Sequence, residues 1–118
     1  MTFRLTARVL FLAAFSLPML GLGVSVTAAA IAPAPAVSVA IKSFAFTPQV
    51  LTITVGTTVT WTNADEDPHT VTATDHSFHS PALDTGGKFS YTFTRVGEFA
   101  YFCQLHPHMT GKVIVKAR

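Results

Sequence analysis

From Val37 onward, apolar and polar residues take turns along the chain. Val37, Val39 and Ile41 alternate, as do Leu51, Ile53 and Val55, and then Val59 and Trp61. Val71 stands in a further run. Phe89, Tyr91 and Phe93 follow, then Phe99, Tyr101 and Cys103, and Val113 and Val115 close the series. A period of two sends successive side chains to opposite faces of a strand. These runs are also rich in Val, Ile, Thr, Phe and Tyr, which suit a pleated, half-buried surface. Gly56-Thr57, Asn63 to Pro68, Gly86-Gly87, Val96-Gly97 and His106 to Gly111 punctuate them as turns or loops. No window past the N-terminal leader has the i, i+3, i+4, i+7 spacing of an amphipathic helix. The pattern predicts an all-β domain of seven or eight short strands, a β-sandwich or barrel, with Trp61 and the phenylalanines as its bulk.

The front of the chain reads differently. Arg4 and Arg8 precede a nearly unbroken apolar run from Val9 to Val26, and Thr27-Ala28-Ala29-Ala30 follows. A basic start, an apolar middle and a small-residue A-x-A make a secretory signal peptide, expected to form a signal helix and to be cut after Ala30. Ala34-Pro35-Ala36 offers a second cutting site. The run approaches the roughly 20 residues of a spanning helix, so a retained membrane anchor is the alternative. Pro18, Gly21, Gly23 and the A-x-A favour cleavage, which leaves no membrane span. The expected organisation is residues 1–30 as signal peptide, 31–36 as a Pro/Ala leader and 37–118 as the domain. The arginines are not adjacent, which argues for a Sec-type rather than a twin-arginine signal.

Composition changes the picture once the leader is set aside. The 118 residues are 49% hydrophobic and 12% charged, and the formal charge is +2. Without Arg4 and Arg8 the basic residues equal the six acidic ones and the net charge is zero. Nothing in the sequence suggests a nucleic-acid partner, which would need a basic stripe on the folded domain. Cys103 is the one cysteine. An exported domain with a single thiol has no internal disulfide, and a free thiol is a liability in an oxidising compartment unless something occupies it.

The segment Tyr101-Phe102-Cys103-Gln104-Leu105-His106-Pro107-His108-Met109-Thr110-Gly111 supplies that occupant. Cys103 ends a strand, and His106 and Met109 follow at intervals of three, so one tight loop delivers a thiolate, an imidazole and a thioether. A second imidazole would complete a His₂Cys plane with a weak axial Met, the type 1 copper arrangement, and His69 after Pro68 is the natural donor. Sulfur ligands favour Cu(I), and imidazole serves both oxidation states. Singly, each residue has an ordinary explanation: a buried Cys, a core Met, a loop His. Together, the C-x₂-H-x₂-M spacing, the upstream Pro-His, the all-β pattern and the export signal point to one copper ion held by His69, Cys103, His106 and Met109.

The stretch from Phe44 to Val115 resembles the cupredoxins, and among them the amicyanin and pseudoazurin branch. The resemblance rests on Phe44-x-Phe46-x-Pro48, Val55-Gly56, Val59-Thr60-Trp61-Thr62-Asn63, Pro68-His69, Phe89-Ser90-Tyr91-Thr92-Phe93, Gly97 and the Cys103 to Gly111 loop. The two-residue gap between His106 and Met109 resembles amicyanin. The resemblance implies an eight-stranded Greek-key sandwich and a periplasmic electron shuttle, serving redox protein partners such as a cytochrome c or a dehydrogenase. It also implies that His106 is the electron port, with Pro68, Leu105 and Pro107 around it. The sequence offers no second metal domain, substrate-pocket signature or catalytic triad, so a monomeric electron carrier rather than an enzyme is expected.

Two departures stand out. Many relatives carry Asn directly after the first ligand His, where this chain has Thr70, so the tie to the Cys loop is expected to be weaker or differently made. His76, His79 and His108 have no part in a four-ligand site. His76 and His79 lie in a polar loop, Thr74 to Thr85, and read as solvated surface. Their alternative reading is a second copper-capture site, which would suit a copper-trafficking protein. Zinc is disfavoured by Met109, because a thioether adds little for zinc. The Asp65-Glu66-Asp67 cluster reads as a solvated turn, with partner selection as its alternative role.

Overall fold

In β4 (Thr58–Asn63), Val59, Trp61 and Asn63 are buried and the intervening threonines half-buried, so the strand shows one face to the core. A computed structural model describes residues 12–19, 21–30 and 32–118. Its strands are β1 (Ala36–Lys42), β2 (Ala45–Thr47), β3 (Val50–Thr54), β4, β5 (Thr72–Ala73), β6 (Lys88–Thr92), β7 (Gly97–Phe102) and β8 (Thr110–Lys116). They form two four-stranded sheets, ordered β2-β1-β4-β6 and β3-β8-β7-β5. From β3 to β7 each successive strand lies in the other sheet. This is the expected all-β architecture with eight strands.

The chain divides into two units, Met1–Ala30 and Ile31–Arg118. The expected signal helix falls in part on residues 1–11 and 20, which lie outside the described residues. Residues 12–19 and 21–30 carry no helix or strand, and among the described residues no helix is long and apolar enough to cross a membrane. Pairing in the β domain starts at the end of the Pro/Ala segment: the Thr58 N–H donates to the Pro35 carbonyl at 2.9 Å, and Ala36 is in register with Thr58.

The alternation seen in the sequence becomes the core. Val39, Ile41, Val59, Trp61, Tyr101, Val113 and Val115 are all buried. Trp61, on β4, meets Tyr101 of the opposite sheet edge-on, with ring centroids 5.5 Å apart, and stacks on Phe78 at 5.8 Å. Burying one such large side chain is worth roughly 1.5–3 kcal/mol, so this contact is a main tie between the sheets. On the outer face, Thr58 bonds Thr92 at 2.8 Å and Thr60 bonds Ser90 at 2.6 Å, cross-strand pairs that fix the β4–β6 register.

The segment after β5 departs from a plain polar loop. His76 and His79 are exposed, as expected, but Phe78, Ser80 and Leu83 are buried. The Ser80 N–H donates to the Val71 carbonyl at 2.9 Å and the Leu83 N–H to the His69 carbonyl at 2.7 Å, so this stretch is laced against the chain that carries His69.

Candidate metal centre

Two loops at one end of the sandwich carry the expected donors. The first runs from β4 to β5 and is organised by buried Asn63. Its amide donates to the carbonyls of Asp67 and Leu83, at 2.8 Å each, and its side-chain oxygen accepts from the Asp65 N–H at 2.9 Å. His69 is then pinned by two backbone bonds with Leu83: its N–H donates at 3.1 Å and its carbonyl accepts at 2.7 Å. The second loop joins β7 to β8 and closes on itself. The Cys103 N–H donates to the Met109 carbonyl at 3.1 Å, and the Met109 N–H to the His106 carbonyl at 2.9 Å. A hairpin tightened in this way fixes Cys103, His106 and Met109 on a rigid base, as a site with a set geometry needs.

The Cys103 Sγ lies 3.8 Å from His69 Nδ1 and 3.7 Å from His106 Nδ1. The three donor atoms are all within 4.8 Å of one another, and among the described residues this is the one such cluster. His69 and Cys103 are fully buried and His106 is half-buried. Met109 is 2% exposed and is tied to both Cys103 and His106 through its backbone. His76 and His79 take no part in the cluster, and His108 is exposed, its ring 6.5 Å from that of His106.

The surroundings hold His69 and Cys103 in place. His69 Nε2 is 2.9 Å from Asp65 Oδ2. An ionised carboxylate only accepts, so Nε2 donates, and in the neutral imidazole that a metal requires the Nδ1 lone pair is on the side of the sulfur. The Asp65 carboxyl is held below the ordinary carboxylate range, chiefly by the Phe44 N–H; partial burial pulls the other way, while Ser43 and His69 add to the lowering. Asp65 is thus no solvated turn residue: its side chain is 13% exposed, while Glu66 and Asp67 are exposed. On the sulfur side, the Thr70 N–H donates to Cys103 Sγ at 3.3 Å, and Thr70 Oγ1 accepts from the Gln104 N–H at 2.8 Å. The tie between the two loops is therefore made differently, by a threonine hydroxyl and backbone.

Asp65 also holds the tip of the β1–β2 hairpin, a part of the site that the sequence reading missed. Its two oxygens accept from the N–H groups of Ser43 (2.7 Å) and Phe44 (2.9 Å). Both residues are left-handed, with φ of 52° and 55°. Such a pair forms the tight two-residue turn that usually calls for Asn-Gly, and each non-glycine costs about 1–2 kcal/mol. The charge-assisted bonds to Asp65 offset that cost. The turn carries the Phe44 ring against both imidazoles: it is perpendicular to His69 with centroids 5.2 Å apart, and to His106 at 5.0 Å.

Two imidazole nitrogens and one sulfur converge here, buried Met109 belongs to the same hairpin as Cys103 and His106, and the Asp65 carboxylate binds the far nitrogen of His69. Soft sulfur with imidazole suits copper, so the donor set fits one type 1 copper ion.

Comparison with known proteins agrees with this chemistry. The family described as the cupredoxin-like domain matches residues 11–115. The amicyanin of Paracoccus versutus is 37% identical over 75 residues, which cover 59% of this chain and 56% of that protein. The chain thus spans rather more than half the length of the curated relatives it matches. A purple cupredoxin from Nitrosopumilus maritimus superposes with a TM-score of 0.65 at 35% identity, covering 68% of this chain and 99% of that one. A copper(I) amicyanin variant superposes at 0.65 with 34% identity, covering 69% of this chain and 82% of that one. The chain belongs to the cupredoxin-like family.

Proposed function

We propose that this protein is an exported, periplasmic one-electron carrier whose single copper would be held by His69, Cys103, His106 and Met109. The convergence of two imidazole Nδ1 atoms on the Cys103 sulfur carries this reading. When bound, copper supplies a Cu(II)/Cu(I) couple. The protein's part is to keep the donors still while the charge changes. Asp65 fixes the tautomer and plane of His69, the Thr70 N–H supports the thiolate, and the closed Cys103–Met109 hairpin holds the remaining donors. The similarity to amicyanins supports a carrier rather than an enzyme.

His106 is the half-buried member of the cluster and gives the site its way out. Around it, Phe44 is 43% and Leu105 50% exposed, and Pro68 and Pro107 are exposed. A small apolar rim suits brief docking of redox proteins, a cytochrome c or a dehydrogenase among them. The leader supports export, and the domain is read as a monomer.

The test is reversible redox cycling. The copper-loaded chain should be bleached by a mild reductant, recover its full colour with a mild oxidant, and retain its copper throughout. Copper that passes within seconds to a weak chelator would contradict a carrier and favour trafficking.

A further inference from the structure

We propose that Phe44 is a positioning residue for both histidine ligands, a ring held in place by a strained turn so that neither imidazole can swing. The inference rests on the copper reading above and deepens it.

Three independent observations support it. The first is contact: one phenyl ring stands perpendicular to His69 and His106 at the same time, with interplanar angles of 89° to each. Aromatic pairs with centroids about 4.5–7 Å apart favour such edge-to-face geometry, so rotation of either imidazole would give up a favourable contact. The second is strain. Ser43 and Phe44 are consecutive non-glycine residues in the left-handed region, a conformation that persists only where its surroundings over-determine it. Here the over-determining group is Asp65, which binds both N–H groups of the turn and also the Nε2 of His69. One carboxylate therefore fixes His69 directly and through the ring beside it. The third is exposure. Phe44 is 43% exposed and stands outside the buried core, so the turn rather than core packing sets the place of its ring.

Phe44 also lines a cavity of about 170 Å³ with Met109 and His108. A smaller side chain at this position would widen that cavity beside Met109 and ease the approach of water and small chelators to this end of the domain.

The test compares the full copper-loaded chain with Phe44→Leu, which keeps apolar bulk and the backbone strain, and with Phe44→Tyr, which keeps the ring. The readouts are the copper hyperfine splitting in electron paramagnetic resonance and the rate of Cu(I) capture by bathocuproine disulfonate. Phe44→Leu should capture about tenfold faster and broaden or shift the hyperfine pattern, while Phe44→Tyr stays within about twofold of wild type. In the copper-free wild-type chain, nuclear Overhauser contacts should link the Phe44 ring to both imidazoles. Equal rates and spectra in Phe44→Leu and wild type would overturn the inference, as would missing ring contacts, or a Phe44→Tyr that behaves like Phe44→Leu. A wild-type chain without a type 1 spectrum would bring down the copper reading itself. A type 1 wild type with an indifferent Phe44→Leu would bring down this inference alone.

Discussion

Replacing Thr70 with valine removes one hydroxyl from between the two ligand loops and preserves nearly the same shape. Thr70 is 5% exposed, and its Oγ1 accepts from the Gln104 N–H at 2.8 Å and sits 3.3 Å from Thr72 Oγ1. Its own N–H, which donates to Cys103 Sγ, belongs to the backbone and survives the change. An ordinary hydrogen bond contributes about 0.5–1.5 kcal/mol net, and leaving a donor unpaired costs about 1–3 kcal/mol. Gln104 is exposed at the rim, so water recovers part of that loss, and Thr70→Val should cost about 1–2 kcal/mol. Thr70→Ser keeps the hydroxyl and gives up one methyl, about 0.8 kcal/mol if fully buried. Urea titration of the copper-free chain, followed by the fluorescence of its one tryptophan, Trp61, would measure both. The valine variant should also lose about 5 °C or more in Tm, as expected for a domain near this size. If Thr70→Val fell within about 0.3 kcal/mol of wild type, or no lower than Thr70→Ser, the hydroxyl would not be the tie between the loops.

Three further outcomes follow from the same geometry. A Cβ at Gly111 would meet the Tyr101 phenol oxygen at 2.5 Å and its Cε2 at 2.8 Å, so Gly111→Ala should destabilise by about 1–3 kcal/mol. Combined with Tyr101→Ala it should cost clearly less than the two changes summed, and strict additivity would refute the clash. Burial pushes the Tyr101 phenol up to about 12, the Trp61 side chain pulling slightly the other way. Its folded value is raised, so its contribution is intact below the unfolded value of about 10 and is lost as pH rises through the folded one, roughly 2–3 kcal/mol in all. Urea stability against pH should therefore fall more steeply above pH 10 in wild type than in Tyr101→Phe; parallel curves would contradict this. Met109→Leu should keep the blue colour and raise the redox potential, since a weak donor to Cu(II) is lost. Unchanged voltammetry would show that Met109 is not the axial ligand.

The strands were legible because their faces are continuous. Val39 and Ile41, Val59 and Trp61, and Val113 and Val115 alternate over a pleat, and all six are buried. Phe46, Phe78 and Leu83 join the same core but lie in a three-residue strand or irregular backbone, where no period exists to reveal them. The convergence of Cys103 with the two histidines was legible for a related reason. Cys103, His106 and Met109 share one short loop, so their spacing survives in the sequence, and a His₂Cys plane called for a second imidazole, which His69 after Pro68 supplied. Asp65 and Phe44 left no such trace. Their partnership depends on a hairpin tip meeting a loop 21 residues away, and the turn lacks the Gly or Asn that would have announced it. The spacing of Asp65 four residues before His69 was the one available signal, and the neighbouring acids Glu66 and Asp67 concealed it.

The central claim is that His69, Cys103 and His106, with Met109, form a type 1 copper site. Electron paramagnetic resonance of the full chain loaded with one equivalent of Cu(II), beside a Cys103→Ser control, tests it most directly. The account predicts a narrow copper hyperfine splitting and an intense blue band in the wild type, and loss of both in Cys103→Ser with the fold retained. A wide, tetragonal splitting in the wild type, unchanged by Cys103→Ser, would mean that copper binds elsewhere and would contradict the account.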